Sequence, residues 1–251
     1  MSHRFDQLFD DRVYLELKNS LFSYLLRKRL VRRIAQGEAR SRMLDLGSGI
    51  SPVAPVGPSV VYSDVSPTAM RMLRSDLSGA HYVALDATAL PFRTESLDAL
   101  VCSEVLEHIR DDRGALREMY RVLRPGGRLI LTVPIHPYFY TFDDRYVGHF
   151  RRYRVQELSE TLEEIGFGRI RRIKAAGLLE KAATYAMVRL FAFVDRGQQE
   201  RSGRRWWFVP YRVFNYGWSY LAAWEGRVSP WAFTTIALLD CRRPQAAQVG
   251  Q

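Results

Sequence analysis

Three carboxylates recur along the first half of the chain, each placed around the end of a short apolar run. Asp45 lies in Met43-Leu-Asp-Leu46, just before Gly47-Ser48-Gly49. Asp64 closes Val60-Val-Tyr-Ser63, and Asp86 closes the run from His81 to Leu85 and precedes Ala87-Thr88. Glycines straight after a buried strand let the backbone approach a ligand closely, because no Cβ intervenes. An acidic residue ending the second strand of a doubly wound sheet can accept from both hydroxyls of a ribose. A carboxylate ending the third could accept from an adenine amino group. A glycine turn or a helix-capping Asp is common; three carboxylates at successive strand ends form a far more specific pattern.

A second set of residues could move protons. His108 stands in Glu104-Val-Leu-Glu-His108, His136 follows Pro134, and His149 lies in Asp143-Asp-Arg-Tyr-Val-Gly-His-Phe-Arg-Arg-Tyr153. The pair Asp143-Asp144 is a further candidate base. In the last segment His149 and Tyr153 can face a reacting molecule, with Arg151 or Arg152 pairing an anionic group. The same arginines could instead pair with Asp143, Asp144 or Glu157 and hold the loop. No metal-ligand set is expected.

The elements that must position these groups are legible in the hydrophobic rhythm. Short strands are expected at 43–46, 60–63, 81–85, 97–103 and 128–133, with helices at 67–77 and 112–123. Ser66 is a natural cap with Pro67 at the first helical position. Strands alternating with helices imply a parallel sheet with right-handed crossovers. An aromatic loop, 138–142, leads to a helix at 156–165 that Gly166 stops, then strands at 167–174 and 233–239. Over fifty residues separate those last two strands, far more than the usual 2–6 of such a connection. Ser51-Pro-Val-Ala-Pro-Val-Gly-Pro58 carries three prolines where a first crossover helix belongs, so a loop or a single turn is expected there. The first 40 residues read as helical, with Leu15, Leu17, Leu21, Phe22, Leu25, Leu26 and Leu30 near helical spacing.

With these pieces in order, MLDLGSGI (43–50), YSDVS (62–66), LDATALPF (85–92), LDALVCSEVLEHI (97–109) and LRPGGRLILTV (123–133) resemble the class I S-adenosylmethionine-dependent methyltransferases, in particular the broad group of ubiquinone and menaquinone methyltransferases. The GHxRRY pattern around His149 resembles a loop of the same family. The resemblance implies a Rossmann-like seven-stranded α/β sheet with helices on both faces and a helical insertion before the last strand. It implies S-adenosyl-L-methionine as cofactor and S-adenosyl-L-homocysteine as product. It places Asp45, Leu46, Gly47, Ser48, Gly49 and Ser103 along the methionine portion, Asp64 and Val65 at the ribose, and Asp86 and Ala87 at the adenine. His108 would border cofactor and acceptor, His149 or His108 would act as base or orienter, and Tyr138, Tyr146, Arg152 and Tyr153 would lie on the acceptor side. Where the family often has a third glycine, this chain has Ser51, so a weaker glycine cradle is expected.

The domain organisation expected from this reading is an N-terminal helical segment (1–40), a cofactor-binding core (41–176), a helical and aromatic insertion capping the acceptor (177–230), a last core strand (231–243) and a disordered tail (244–251). The chain of 251 residues carries 37 Lys/Arg against 27 Asp/Glu. The segment 43–120 holds 6 of the basic and 11 of the acidic residues, so a net +15 lies elsewhere. Basic clusters beside Trp206 and Trp207, at Arg204 and Arg205, have the composition of an interfacial anchor. Expected partners are a small-molecule or lipid-linked acceptor and an anionic membrane surface touched peripherally. Nucleic acid fits less well, since no Asn/Asp-Pro-Pro-Tyr element and no appended RNA domain is seen; the oligomeric state is not legible. Cys102 and Cys241 make no disulfide framework, the N-terminus has no apolar signal region, and no uninterrupted apolar run reaches the ~20 residues of a span. The expected location is cytoplasmic, at the inner face of the membrane. A nicotinamide-dependent oxidoreductase and a non-catalytic cofactor-binding relative are the competing readings.

Overall fold

A computed structural model describes residues 21–38, 41–77, 79–195 and 208–245. Its strands are β1 (Met43–Leu46), β2 (Val60–Asp64), β3 (His81–Ala84), β4 (Leu97–Ser103), β5 (Leu123–Pro134), β6 (Gly168–Ala176) and β7 (Ile236–Arg242). They form one seven-stranded sheet in the order β3-β2-β1-β4-β5-β7-β6. β1 to β5 run parallel, and β7 runs antiparallel to both neighbours. Strand order reverses between β1 and β4, so a crevice opens at the carboxyl ends of these strands. This is the sheet the sequence led us to expect.

The helices are α1 (Phe22–Ala35), α2 (Pro67–Asp76), α3 (Asp112–Val122), α4 (Phe142–Val147), α5 (Val155–Ile165), α6 (Leu178–Asp195) and α7 (Phe208–Val228). Side chains alternate across each strand. Leu44, Leu46, Leu100 and Cys102 therefore face α3 and α5, joining Leu116, Met119 and Leu162. Met43, Val60, Tyr62 and Val101 face the other way, with Val31 of α1 and Ala69, Met70 and Leu73 of α2. Ser66 caps α2, its hydroxyl accepting from the Ala69 amide at 3.1 Å. Gly166 ends α5 in the left-handed region.

The proline-rich segment after β1 forms no helix. It is held from three sides: the Ala54 amide donates to Asp45 Oδ2 (3.0 Å), the Tyr24 hydroxyl to the Pro52 carbonyl (3.2 Å) and the Tyr62 hydroxyl to the Pro55 carbonyl (3.4 Å). Two strand boundaries differ from expectation by three residues or more. β5 begins at Leu123, because Arg124 to Gly127 loop out as an irregularity inside the pairing with β4. β7 begins at Ile236, since Phe233 closes a single 3-10 turn.

The long connection from β6 to β7 is the helical insertion, α6 and α7. α7 lies along α1 and β6. It turns small or polar residues inward, with Asn215, Ser219 and Ala222 fully buried. The Phe22 amide donates to Asn215 Oδ1 (3.1 Å) and Arg29 donates to Ser219 Oγ (2.6 Å). The N-terminal helix and the insertion are thus one packed unit rather than separate pieces. Leu15, Leu17, Arg204, Arg205, Trp206, Trp207 and most of the expected tail lie outside the described residues.

Two glycines of α7 test this packing against each other. A Cβ on Gly226 would lie 2.9 Å from the Ala176 Cα, whereas one on Gly217 would meet nothing within 4 Å. Gly226→Ala should lower stability by about 1–3 kcal/mol through overpacking against backbone. Gly217→Ala should raise it by about 0.4–1 kcal/mol. Denaturant unfolding of both variants checks the pair of signs.

Candidate functional site

The carboxyl ends of β1 to β3 carry the three acidic residues side by side. Asp64 is half-buried; its Oδ2 accepts from the Gly49 amide (3.0 Å) and its Oδ1 from the Ser66 amide (2.9 Å). Each oxygen of a carboxylate keeps a second acceptor position. Val65 next to it is exposed. Asp86 is exposed, and the amide and hydroxyl of Thr88 on its Oδ1 hold its carboxyl below the usual range. Ala87 behind it is buried.

Asp45 behaves differently. It is buried, and burial pushes its carboxyl up to about 7, against the pull of the Ala54 and Val53 amides. Its visible work is to hold the proline segment. Gly47 and Gly49 both have positive φ, +72° and +53°. A Cβ at Gly47 would sit 2.3 Å from the Val105 side chain, so the first glycine of the turn is fixed by conformation and by packing. Leu46 is in the core, and the Ser48 hydroxyl turns toward the Gly49 and Ser63 carbonyls at 3.4 and 3.3 Å. From both residues, only backbone is left to meet a ligand in the crevice. Ser103 shares a 2.8 Å hydrogen bond with Thr132 at the end of β4.

Beyond β4 and β5 lies a polar wall. His108 and His149 meet edge to face with ring centroids 4.6 Å apart. His149 Nδ1 lies 2.9 Å from Asp144 Oδ1. Asp144 is buried and also accepts from Arg152 Nε (2.8 Å), Lys181 Nζ (2.9 Å) and the Thr141 amide (3.0 Å). Burial opposes its ionisation, but His149, Arg152, Thr141 and Lys181 together outweigh it and hold the carboxyl well below the usual range. Lys181 pairs with Asp143 as well, at 2.7 Å. Asp143 and Asp144 therefore both fasten α6 to this wall.

Several expected acceptor-side residues are occupied elsewhere. Arg152 is spent on Asp144 and approaches the Ile135 and Thr235 carbonyls. Tyr153 is buried, with its hydroxyl donating to the Leu106 carbonyl (3.1 Å) and near Asp112 Oδ2 (3.0 Å). Both hold the loop, and with Asp112, Pro137, Arg151 and Leu158 both also line a cavity. Arg151 likewise pairs with Asp112 at 2.7 Å. Tyr138 and Tyr146 are exposed, the former donating to the Ala232 carbonyl at 2.5 Å. His136 Nε2 lies 2.8 Å from the Trp231 carbonyl.

Sequence reasoning missed Lys181 and Glu180, which reach this wall from α6 with no motif around them. It quoted Glu107 within a motif and gave it no role. Glu107 is fully buried, and burial, then the nearby Glu104, push its carboxyl well above the ordinary range. Arg27 of α1 approaches Glu104 at 3.6 Å.

Comparison with known proteins decides the family. A model described as a methyltransferase domain matches residues 44–131. The demethylmenaquinone methyltransferase of Streptomyces avermitilis is 31% identical over 158 residues, covering 60% of this chain and 68% of that one. The chain belongs to the class I S-adenosylmethionine-dependent methyltransferases. This methyltransferase is also 30% identical over 153 residues to the ubiquinone/menaquinone biosynthesis C-methyltransferase UbiE of Pectobacterium atrosepticum, covering 53% of this chain and 61% of that one. Its fold matches a SAM-dependent methyltransferase of Thermotoga maritima with TM-score 0.63, over 97% of this chain and 100% of that one, at 16% identity. It spans from 38% to 68% of the length of the curated relatives it matches. Family membership sets the cofactor as S-adenosylmethionine and leaves no place for a nicotinamide-dependent oxidoreductase.

The wall's stability should respond to acid in a defined sense. Folding lowers the Asp144 pKa, so its contribution is present above the unfolded value of about 3.9 and is lost as pH falls through the folded one. Asp144→Asn should cost about 3–5 kcal/mol at pH 7, since it leaves buried cations without their counter-charge. Unfolding measured between pH 3 and 7 should show a shallower acid dependence in that variant than in the parent.

Proposed function

We propose that this methyltransferase transfers a methyl group to an oxygen or carbon atom of a small, lipid-linked acceptor at a membrane surface. The observation that carries the cofactor half is the pair of carboxylates, Asp64 at the end of β2 and Asp86 just after β3, beside the glycine turn that follows β1. When bound, S-adenosylmethionine supplies a methyl group on a sulfonium, already activated toward displacement. Asp64 accepts from the ribose hydroxyls, its carboxylate already oriented by the Gly49 and Ser66 amides. Val65 offers an exposed apolar flank to the adenine, and Asp86 an ionised acceptor. Gly47 and Gly49 let the turn close on the methionine portion, with Ser103 at its side. The chain needs no nucleophile of its own; its task is to align the acceptor. His108 and His149 border that position, and either can take a proton from the acceptor or orient it.

The acceptor half rests on the activities of the relatives and on the surface of α7. Outward from this helix project Val213, Phe214, Tyr216, Tyr220, Leu221, Trp224 and Val228, each at least 43% exposed. Large apolar side chains face out while Asn215, Ser219 and Ala222 face in, the reverse of an ordinary surface helix. An exposed apolar patch of this kind marks a partner surface. Among the described residues no helix is long and apolar enough to cross a membrane. The contact we infer is peripheral, on the cytoplasmic side, with the segment 177–230 acting as cap over the acceptor.

Two measurements test this reading. Titration with S-adenosylhomocysteine should show Asp64→Ala binding about tenfold to a hundredfold more weakly, as expected for losing hydrogen bonds to a charged group worth about 1.5–3 kcal/mol. Unchanged affinity in a folded variant removes Asp64 from the site. Co-sedimentation with anionic vesicles should capture the chain at low salt, less at high salt, and less again when Phe214, Tyr220 and Trp224 are replaced by Ser. A protein that stays in the supernatant at low salt has a capping insertion for a water-soluble acceptor instead.

A further inference from the structure

Glu107, His108 and His149 each bring one ligand atom to within 4.8 Å of the others. Two segments meet to do this. Glu107 and His108 lie on the 3-10 turn Leu106–His108 directly after β4, and His149 follows Gly148, the left-handed cap of α4. The Phe150 amide donates to the Glu107 carbonyl at 2.8 Å, and the Tyr153 hydroxyl to the Leu106 carbonyl, so the backbone clamps the segments together.

The polar atoms inside this clamp are poised for a cation. Neither carboxylate oxygen of Glu107 has a hydrogen bond among the described residues, although the side chain is fully buried. Buried groups of this kind are normally satisfied. Across from it stands His149. Its partner Asp144 is an acceptor, so Nδ1 carries the hydrogen of that 2.9 Å contact. In the neutral ring Nε2 then bears a lone pair, and it lies 3.7 Å from Glu107 Oε1. That is too long for a hydrogen bond. Two lone-pair atoms facing each other at this distance call for a positive charge between them. A histidine whose far nitrogen donates to a carboxylate is also the usual arrangement of a metal-bound imidazole. The surrounding charge favours it: among the described residues, Glu104, Glu107, Glu180, Asp143 and Asp144 lie near the cations Arg27, Arg152 and Lys181, five acidic groups to three basic ones.

We propose that Glu107, His108 and His149 bind a divalent first-row transition cation on the acceptor side of the crevice. One carboxylate and two imidazoles suit zinc, manganese, iron or cobalt, and three protein ligands leave positions open. Ligand atoms bonded at about 2.1 Å lie about 3.4 Å apart at tetrahedral angles. The present cluster, within 4.8 Å, is wider than that spacing and must contract on binding. The open positions take hard oxygen donors. In this part the inference rests on the methyl-transfer reading: the cation selects an acceptor offering a hydroxyl or two adjacent oxygens.

The test is calorimetric titration of the chelator-treated full chain with Mn²⁺, and separately with Co²⁺ followed by its visible absorption. One cation per chain is expected, with cobalt bands typical of nitrogen and oxygen ligands. Glu107→Gln, His108→Ala and His149→Ala should each weaken binding at least tenfold. His81→Ala, at the exposed start of β3, should bind as the parent does. Circular dichroism reports folding; should Glu107→Gln not fold, the two histidine variants carry the comparison. A parent chain that takes up no stoichiometric cation overturns the proposal, as does equal binding in all variants. In that outcome a proton shared between His149 and Glu107 occupies the gap. Titration of the same samples with S-adenosylhomocysteine separates the two readings. Cofactor binding without metal binding ends the cation proposal alone. Metal binding without methylation of any oxygen acceptor ends only the acceptor assignment.

Discussion

The polar wall beyond β4 and β5 depends on one buried carboxylate. Asp144 accepts hydrogen bonds from His149, Arg152, Lys181 and the Thr141 amide. Through Lys181 it fastens α6 to the loop after β5. Through Arg152 it reaches the carbonyls of Ile135 and Thr235, at the ends of β5 and just before β7. Through His149 it turns an imidazole toward the end of β4. A buried pair of this kind adds little net stability compared with an apolar replacement. It does fix where each partner stands, and the partners come from three separate parts of the chain.

The cofactor side rests on a different economy, made almost wholly of backbone. Asp45 secures the proline segment, Ser66 caps α2, and Gly47 approaches Val105 with no room for a Cβ. What faces the crevice is then a set of amides and two carboxylates, Asp64 and Asp86, whose hydrogen bonds keep them oriented. Such a site changes little with the acceptor, which is why one family can serve many. On the reading proposed above, specificity comes from the wall beyond β4 and from the insertion, where α7 keeps its small residues inward and its aromatic ones outward.

The sheet and the turns at its strand ends are largely legible in the sequence because they depend on local signals. Alternation places Leu44 and Leu46, prolines forbid a helix at 52–58, and a Ser-Pro pair starts α2. The partners of Asp144 were not legible. Lys181 lies 37 residues further on in an apolar helix without a motif, and nothing local says that its charge is buried. The same holds for the partners of Arg152 and Tyr153, which bond to Asp144 and Asp112 across elements that no local pattern links. α4 was read as part of a loop because six residues are too few to show a helical period. The pairing of α1 with α7 rests on Asn215 and Ser219, polar residues that a hydrophobic pattern cannot mark as contacts.

The central claim is that the crevice between these two halves moves a methyl group onto a lipid-soluble acceptor. Mass spectrometry on membrane and aqueous extracts, each incubated with the protein and methyl-labelled S-adenosylmethionine, tests it most directly. The account predicts a labelled product in the organic phase of the membrane extract that is absent without the protein. Label confined to water-soluble products would contradict the acceptor class. No labelled product at all, from a protein that binds S-adenosylhomocysteine, would contradict the enzymatic reading itself.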